Sequence, residues 1–407
     1  MKKIIQQAFF QLRNQPLLSV ITVLGTALAI ALIMVILIVY QAKTADYAPE
    51  VNRSRSLYVK WERTVYDKKD PNSAGHSRPS LWLVKEIFYP LTTPEAVTAT
   101  YEGGEVLVGT VGSDEEMNTP LMLTDAAFWK VYQFRFLAGK PFTEADFQSG
   151  MKQAVIAKSV ARRLFGGAEN AIGKDILVNF AAYTVCGVVD DVNRFCEFTW
   201  SEVYAPYTSN AIASEAEAGQ TSGNNVITIL ARSTDDFDAI RNEVARGVAQ
   251  INTTLGDMEL QLMGQPDNFR MQLNRKFANQ YENLNANFWK YGIMILIILL
   301  VPAINLSGLT NTRMRRRLEE LGIRKAFGAT RNELVWQVLN ENLVLTVMGG
   351  LLGLALAYLF LWLMSDWLLQ TVWGATATMN ASMVSPVIFL IAFGFCLILN
   401  MFSAYVP

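Results

Sequence analysis

The chain has 407 residues, 51% of them hydrophobic and 17% charged, against roughly 25% charged in an ordinary soluble protein; that shortfall argues against a purely soluble enzyme. Lys and Arg number 35 and Asp and Glu 36, so there is no overall basic field of the kind nucleic acid needs, and DNA and RNA are excluded as partners. One histidine, His76, and three cysteines rule out a His-rich metal site, a relay of several imidazoles and a zinc ribbon.

The charges are missing locally. Residues 14–42, 291–312, 342–365 and 367–407 contain no Asp, Glu, Lys or Arg. A helix needs roughly 20 apolar residues to cross about 30 Å of hydrocarbon, so transmembrane helices are expected at residues 17–41, 288–310, 342–365 and 385–407, with a short loop at 366–384. Buried core helices are the competing reading, which runs of this length and apolarity disfavour. For the first stretch the rival is a cleaved signal peptide, whose apolar region covers about 7 to 15 residues. Here the run covers residues 17–40 and leads into Gln41, so an uncleaved anchor fits better.

Charge orients the spans. Lys2, Lys3 and Arg13 precede the first, and seven basic against four acidic residues lie between the second and third, for a combined charge of plus 6. Residues 43–290 hold 25 basic and 31 acidic residues. By the positive-inside rule the N-terminus and residues 311–341 face the cytoplasm and residues 42–287 lie outside; four spans return the C-terminus to the cytoplasm.

The outside segment has the chemistry of a folded, water-soluble domain. Alternating or β-branched runs predict strands at 56–61, 105–111, 153–156, 175–178, 183–189 and 226–231, while 159–165 and 237–253 have helical spacing. The fold class is therefore an α-helical membrane protein with four transmembrane helices and a large mixed α/β extracytoplasmic domain between helices 1 and 2. Residues 71–79 and 209–225 read as exposed loops. Asp190 and Asp191 are adjacent, so on a strand they point to opposite faces; they read as a strand end rather than a general acid and base. Cys186 and Cys196 lie ten residues apart where oxidation is permitted, and a disulfide between them is weighed against two buried thiols. Cys396 falls inside the fourth span. Residues 168–175 (AENAIGKD) imitate a phosphate loop, but Ala168 and Asp175 stand where that motif needs Gly and Ser or Thr. No Walker loop exists elsewhere, so this chain is not expected to bind ATP and Mg itself.

The segment 311–341 is the most informative. Arg315 with Glu319, Arg316 with Glu320 and Glu320 with Arg324 lie one turn apart, and Met314, Leu318 and Leu321 form an apolar stripe. Gly328 suits a helix end, and Thr330 with Glu333 reads as a capping box opening a helix that runs into the third span. A plain positive-inside anchor is the bland reading. A salt-bridged, apolar-striped helix with a capped corner also offers a partner a knob to grip.

Residues 318–331, followed by Asn340, Glu341 and the glycines Gly349, Gly350 and Gly353, resemble the signature of the FtsX/MacB superfamily of ABC-transporter permeases. Residues 154–192 are similar to that superfamily's MacB-like periplasmic core domain, and the order of one span, a large ectodomain and three spans agrees. The resemblance implies a permease of the bacterial inner membrane that transmits ATP-driven closure of a separate cytoplasmic ATPase to its periplasmic domain, exporting or extracting a peptide, lipoprotein, antibiotic or other amphiphile. It implies as partners that ATPase, a second copy or close paralogue, membrane lipid, and in some systems a periplasmic adaptor. On this mapping Arg313, Arg316, Arg317, Glu320, Gly322, Arg324, Lys325, Gly328 and Arg331 couple to the ATPase, the three glycines pack membrane helices, residues 269–290 form a helical stalk, and residues 1–16 lie on the inner surface as an amphipathic helix. Family members usually continue past the last span into a short basic tail, whereas this sequence ends at Pro407. A regulator of a periplasmic partner such as a cell-wall hydrolase would share this architecture. A membrane-anchored enzyme is disfavoured, because no nucleophile, base and orienting group can be assembled from the motifs.

Overall fold

The computed structural model describes residues 16–110, 112, 116–210, 219–275, 277–278, 289, 293, 323, 325–328 and 330–368, with scattered helical positions between 387 and 398. It divides into two compact units, residues 44–284 and the remainder.

Among the described residues, fourteen strands build the first unit. They are β1 (Ser56–Val59), β2 (Glu62–Val65), β3 (Ala74–Pro79), β4 (Ala96–Gly109), β5 (Glu116–Thr124), β6 (Phe136–Gly139), β7 (Gln153–Ala157), β8 (Asp175–Val178), β9 (Ala181–Val189), β10 (Val203–Pro206), β11 (Ser222–Gly223), β12 (Asn225–Leu230), β13 (Glu259–Gln261) and β14 (Asp267–Asn268). Ten of them make one sheet in the order β14-β1-β12-β4-β5-β10-β7-β9-β6, with β8 pairing both β4 and β9. Because β8 bridges those two, the path β4-β5-β10-β7-β9-β8 closes on itself, which leaves β14 and β6 as the sheet's outer strands. The pairs β5–β10 and β7–β9 are parallel and the rest antiparallel. A smaller sheet runs β11-β3-β2-β13.

Alternation along the strands sorts side chains into two cores. Val106, Val108, Leu123, Ile156, Ile176, Val185, Val188 and Val203 share one. On the other side Tyr58, Phe128, Tyr132, Phe142, Phe198, Tyr204 and Phe269 form an aromatic cluster. Fully burying side chains of this size contributes about 1.5–3 kcal/mol each. Within β4 the register shifts between Glu102 and Glu105; Gly104 there has φ +73°, a conformation that favours glycine at a β-bulge. Helix α1 (Pro16–Thr44) precedes the domain; α2 (Lys158–Phe165), α3 (Phe237–Thr254) and α4 (Phe269–Asn274) belong to it, and α5 (Arg331–Leu368) follows. In α3, Ile240, Val244 and Ile251 are buried, on the face that its period predicts.

Three expectations change. Of residues 209–225, read as an exposed loop, Ser222–Gly223 form strand β11 and Asn225 opens β12, while residues 211–218 lie outside the described residues. Residues 74–79, read as loop, are strand β3, held to β2 with Arg63 opposite His76; its polar sequence fits a strand with mostly half-exposed side chains. The helix read from residue 269 onward ends at Asn274, where Arg275 turns extended (φ −85°, ψ 111°) and its side chain folds back onto Asp267. The remainder of the proposed stalk, apart from residues 275, 277, 278 and 289, lies outside the described residues, as does the amphipathic segment 1–15.

In the second unit, α1 contains the first expected span and α5 the third. These are the two helices among the described residues that are long and apolar enough to cross a membrane. Of the second and fourth spans only isolated helical positions are described.

Candidate functional site: the coupling corner and the helix crossing

The chain between the second and third apolar stretches is described only at its end. There Phe327 N–H donates to Ile323 O at 3.0 Å and Gly328 N–H to Lys325 O at 3.1 Å, closing a helical turn. Gly328 then takes φ +96°, the left-handed turn that ends helices and that a side chain would strain. Helix α5 starts at Arg331, so Thr330 stands at its head. Ile323 and Phe327, four residues apart and so on one face, are both exposed, Phe327 at 89%. Lys325 is exposed between them. An apolar pair flanked by a cation at a fixed corner can insert into a partner's groove. Arg313, Arg316, Arg317, Glu320, Gly322 and Arg324 lie outside the described residues; Lys325, Gly328 and Arg331 are brought together at this corner.

The three glycines of α5 mark close approach. A Cβ on Gly349 would lie 2.8 Å from Thr26 Cβ, and one on Gly353 would lie 2.7 Å from the Ala27 carbonyl oxygen, both on α1. Gly350 faces mainly the Phe393 ring, 2.7 Å from a Cβ placed there, with Ile30 of α1 at 3.6 Å. Small residues let helices approach in lipid, where no hydrophobic drive pushes them together. Ile30, Met34 and Ile38 of α1 continue the contact against Ala357 and Leu361.

The domain offers less chemistry. Asp190 pairs at long range with Lys158 and Arg135, and Asp191 accepts the Ser159 N–H at 2.9 Å at the head of α2. Both acids therefore organise the end of β9. Cys186 and Cys196 are free thiols, the unbonded alternative of the two weighed from the sequence: Cys186 Sγ contacts the Ala154 carbonyl and Cys196 Sγ the Ala48 carbonyl, so each faces a different part of the core. Burial pushes both thiols up to about 12, leaving them unreactive at neutral pH. Asp125 is a buried carboxyl with no cation beside it. It accepts from Tyr89 and Thr98 hydroxyls at 2.6 Å and from the Ala99 and Phe128 amides at 2.9 and 3.0 Å, and burial outweighs these donors and raises its pKa. All four donors are internal, which makes it a strand-to-helix staple.

Comparison with known proteins decides the family. Residues 19–246 match the MacB-like periplasmic core domain and residues 292–407 the FtsX-like permease C-terminal domain; the first match alone covers more than half of the chain. This chain belongs to the MacB/FtsX family of ABC-transporter permeases. It is 23% identical over 345 residues to the uncharacterized ABC transporter permease YknZ of Bacillus subtilis (strain 168), covering 84% of this chain and 81% of that one. The macrolide export ATP-binding/permease protein MacB of Wolinella succinogenes is 25% identical over 359 residues, 86% of this chain and 52% of MacB. The chain thus spans about half the length of that relative, which is named as an ATP-binding/permease protein. The crystallised periplasmic region of MacB from Actinobacillus actinomycetemcomitans aligns with 54% of this chain and 95% of its own at 14% identity and TM-score 0.37. For a MacB/FtsX permease, the corner at 323–331 and the glycine crossing are the candidate functional elements. The exposed pair Ile323 and Phe327 went unread in the sequence, although their four-residue spacing was the available signal. Buried Arg53 has no sequence signature, since one of its partners, the Phe195 carbonyl, lies 142 residues away.

Proposed function

We propose that the chain is the non-catalytic membrane subunit of a transporter in which a separate cytoplasmic ATPase seats on the 311–341 corner. ATP-driven closure of that ATPase is passed through the membrane helices to the 44–284 domain, which lies outside the cytoplasmic membrane of a bacterium and acts on a peptide, lipoprotein, antibiotic or other amphiphile. A second copy of the chain completes the assembly, and ATP and Mg are held by the partner. The observation that carries this reading is the exposed Ile323–Phe327 pair beside Lys325, held by the Gly328 turn in a chain of ABC-permease family. Relatives named as ATP-binding/permease proteins support an ATPase as the occupant, and the charge asymmetry of the short loops supports the orientation.

The test is affinity purification of the full chain from its native membrane, comparing wild type with Phe327→Asp. The expected result is an ATPase recovered with the wild type and lost from the variant, with the domain's far-ultraviolet dichroism unchanged. Equal recovery and equal ATP turnover from both would overturn the assignment of the corner. Orientation is tested separately: a cysteine placed within residues 209–225 should react with an impermeant thiol reagent in cells whose outer barrier is opened, and labelling only after lysis would reverse the topology.

A further inference from the structure

The chain enters the 44–284 domain just before Ala45 and leaves it beyond Ala278, and both ends meet at one edge of the large sheet. The outermost strand there, β14, is two residues long and pairs only with β1, Leu57 opposite Asn268 and Tyr58 opposite Asp267. β1 belongs to the entering segment and β14 to the leaving one. A two-residue strand supplies few ladder bonds, so the hold of β14 on β1 rests on its side chains, with Asp267 fully buried.

Two buried arginines reinforce this edge. Arg53, 1% exposed, donates through Nε to Glu50 Oε2 at 2.8 Å, through one terminal nitrogen to the Ala45 carbonyl at 2.6 Å and through the other to the Phe195 carbonyl at 2.7 Å. Its guanidinium lies over the rings of Phe269 at 4.7 Å and Tyr47 at 5.5 Å. The second oxygen of Glu50 accepts the Phe198 amide at 2.9 Å and the Thr199 hydroxyl at 3.0 Å. One side chain therefore touches the first residue after α1, the loop below β9 and the head of α4. On the leaving side, Arg275 forks onto Asp267 and donates to the carbonyls of Met263 at 3.1 Å and Ala278 at 3.2 Å. Tyr58 packs on the first group, stacked on Phe198 with ring centroids 4.3 Å apart and tilted against Phe269 at 5.8 Å, and stands opposite Asp267 of the second in the β1–β14 ladder.

Stability alone does not account for this arrangement, because desolvation largely cancels the attraction in a buried ion pair and apolar residues of equal volume often do as well. What the planar guanidinium adds is direction: its donors are fixed relative to one another, so the groups that accept from them are fixed too. We propose that Arg53, with Glu50 and Phe269, is the positioning centre that makes the entering and leaving segments move as one piece. Force arriving through either connection then reaches the large sheet instead of stripping β14 or β1 from its edge. The consequence for transport rests on the mechanotransmission reading above; the mechanical linkage itself does not.

Hydrogen exchange on the full chain in detergent tests the linkage, with Arg53→Lys as first variant, which keeps the charge and loses the fork. Residues 45–53 and 263–275 are expected to exchange together about tenfold faster, the change produced by about 1.4 kcal/mol, while β7 and β9 keep wild-type rates. Acceleration of only one segment, or of neither, would overturn the proposal. If Arg53→Lys opens the whole domain, Phe269→Leu, which removes the ring and leaves the ion pair in place, is read by the same criterion. With the ATPase bound and trapped by Mg-ATP and vanadate, the variant should lose the nucleotide-dependent change in the domain's exchange while retaining ATP turnover; a change of wild-type size in the variant would again overturn it. Absence of any such change in the wild type would instead sink the mechanotransmission reading, with the detergent result still deciding the linkage.

Discussion

The 44–284 domain and the helical unit solve opposite solvation problems with the same twenty residues. In the domain, Val, Ile, Leu and the aromatics of β4, β7, β9 and β12 are inside, and the buried carboxyls of Glu50 and Asp125 are met by complete sets of hydrogen-bond donors. In α1 large apolar residues stand on both faces, with Ile30, Met34 and Ile38 buried and others outward. Val20, Leu24, Leu28 and Leu32, at four-residue spacing, face outward, while Thr26, Ala27 and Ala31 are buried. Water penalises exposed Leu and rewards its burial; hydrocarbon is indifferent to Leu, so contact between helices rests on small residues and close fit. The domain is therefore sensitive to lost polar partners and the helices to added volume.

The largest expected effect comes from removing one partner of a buried pair. Arg53→Met leaves Glu50 buried without its cation, and unfolding of the domain by denaturant should show a loss of about 3–5 kcal/mol. Asp125→Asn places an amide donor against the Ala99 or Phe128 amide, at a cost of about 1–3 kcal/mol, and it also changes the pH dependence. Burial raises the folded-state pKa of Asp125 above its unfolded value, so its contribution to stability is complete below about pH 4 and is lost as pH rises through the folded value. Melting curves across that interval should show a shallower fall for Asp125→Asn than for wild type.

In the helical unit the sensitive change is the reverse. Gly353→Val drives a side chain into the Ala27 carbonyl and Ile30, and overpacking of this kind costs about 1–3 kcal/mol; reduced recovery of monodisperse chain from membranes, with the domain still folded, is the measurement. Gly25→Ala and Gly394→Ala meet nothing within 4 Å and should be recovered at wild-type levels, and a loss as large as that of Gly353→Val would break the argument from close approach. The smallest effect belongs to the domain surface. Arg55 pairs with Glu95 at 2.7 Å, both about a third exposed, and Arg55→Gln should change stability by no more than about 1 kcal/mol.

Much of this was legible in one dimension because it depends on local pattern. The charge-free runs locate α1 and α5, the alternation of residues 183–189 and 226–231 marks β9 and β12, and the 3.6 period of residues 237–253 marks α3, since each pattern records which face meets which solvent. Gly328 and Thr330 mark the corner before α5 because a left-handed turn and a helix start demand particular residues. Strands β2, β3, β5, β6, β10, β11, β13 and β14 are not predicted by pattern, because they are short or polar, or in β5 interrupted by Pro120, and become strands only by pairing with their neighbours. The closure of the sheet through β8, the end of α4 at Asn274, the separation of Cys186 from Cys196 and the joining of the domain's two ends through Arg53 were decided by tertiary structure alone. The first and last of these depend on groups far apart in the chain, and a sequence carries no record of distance until the chain folds and brings Arg53 to Phe195 and Phe269.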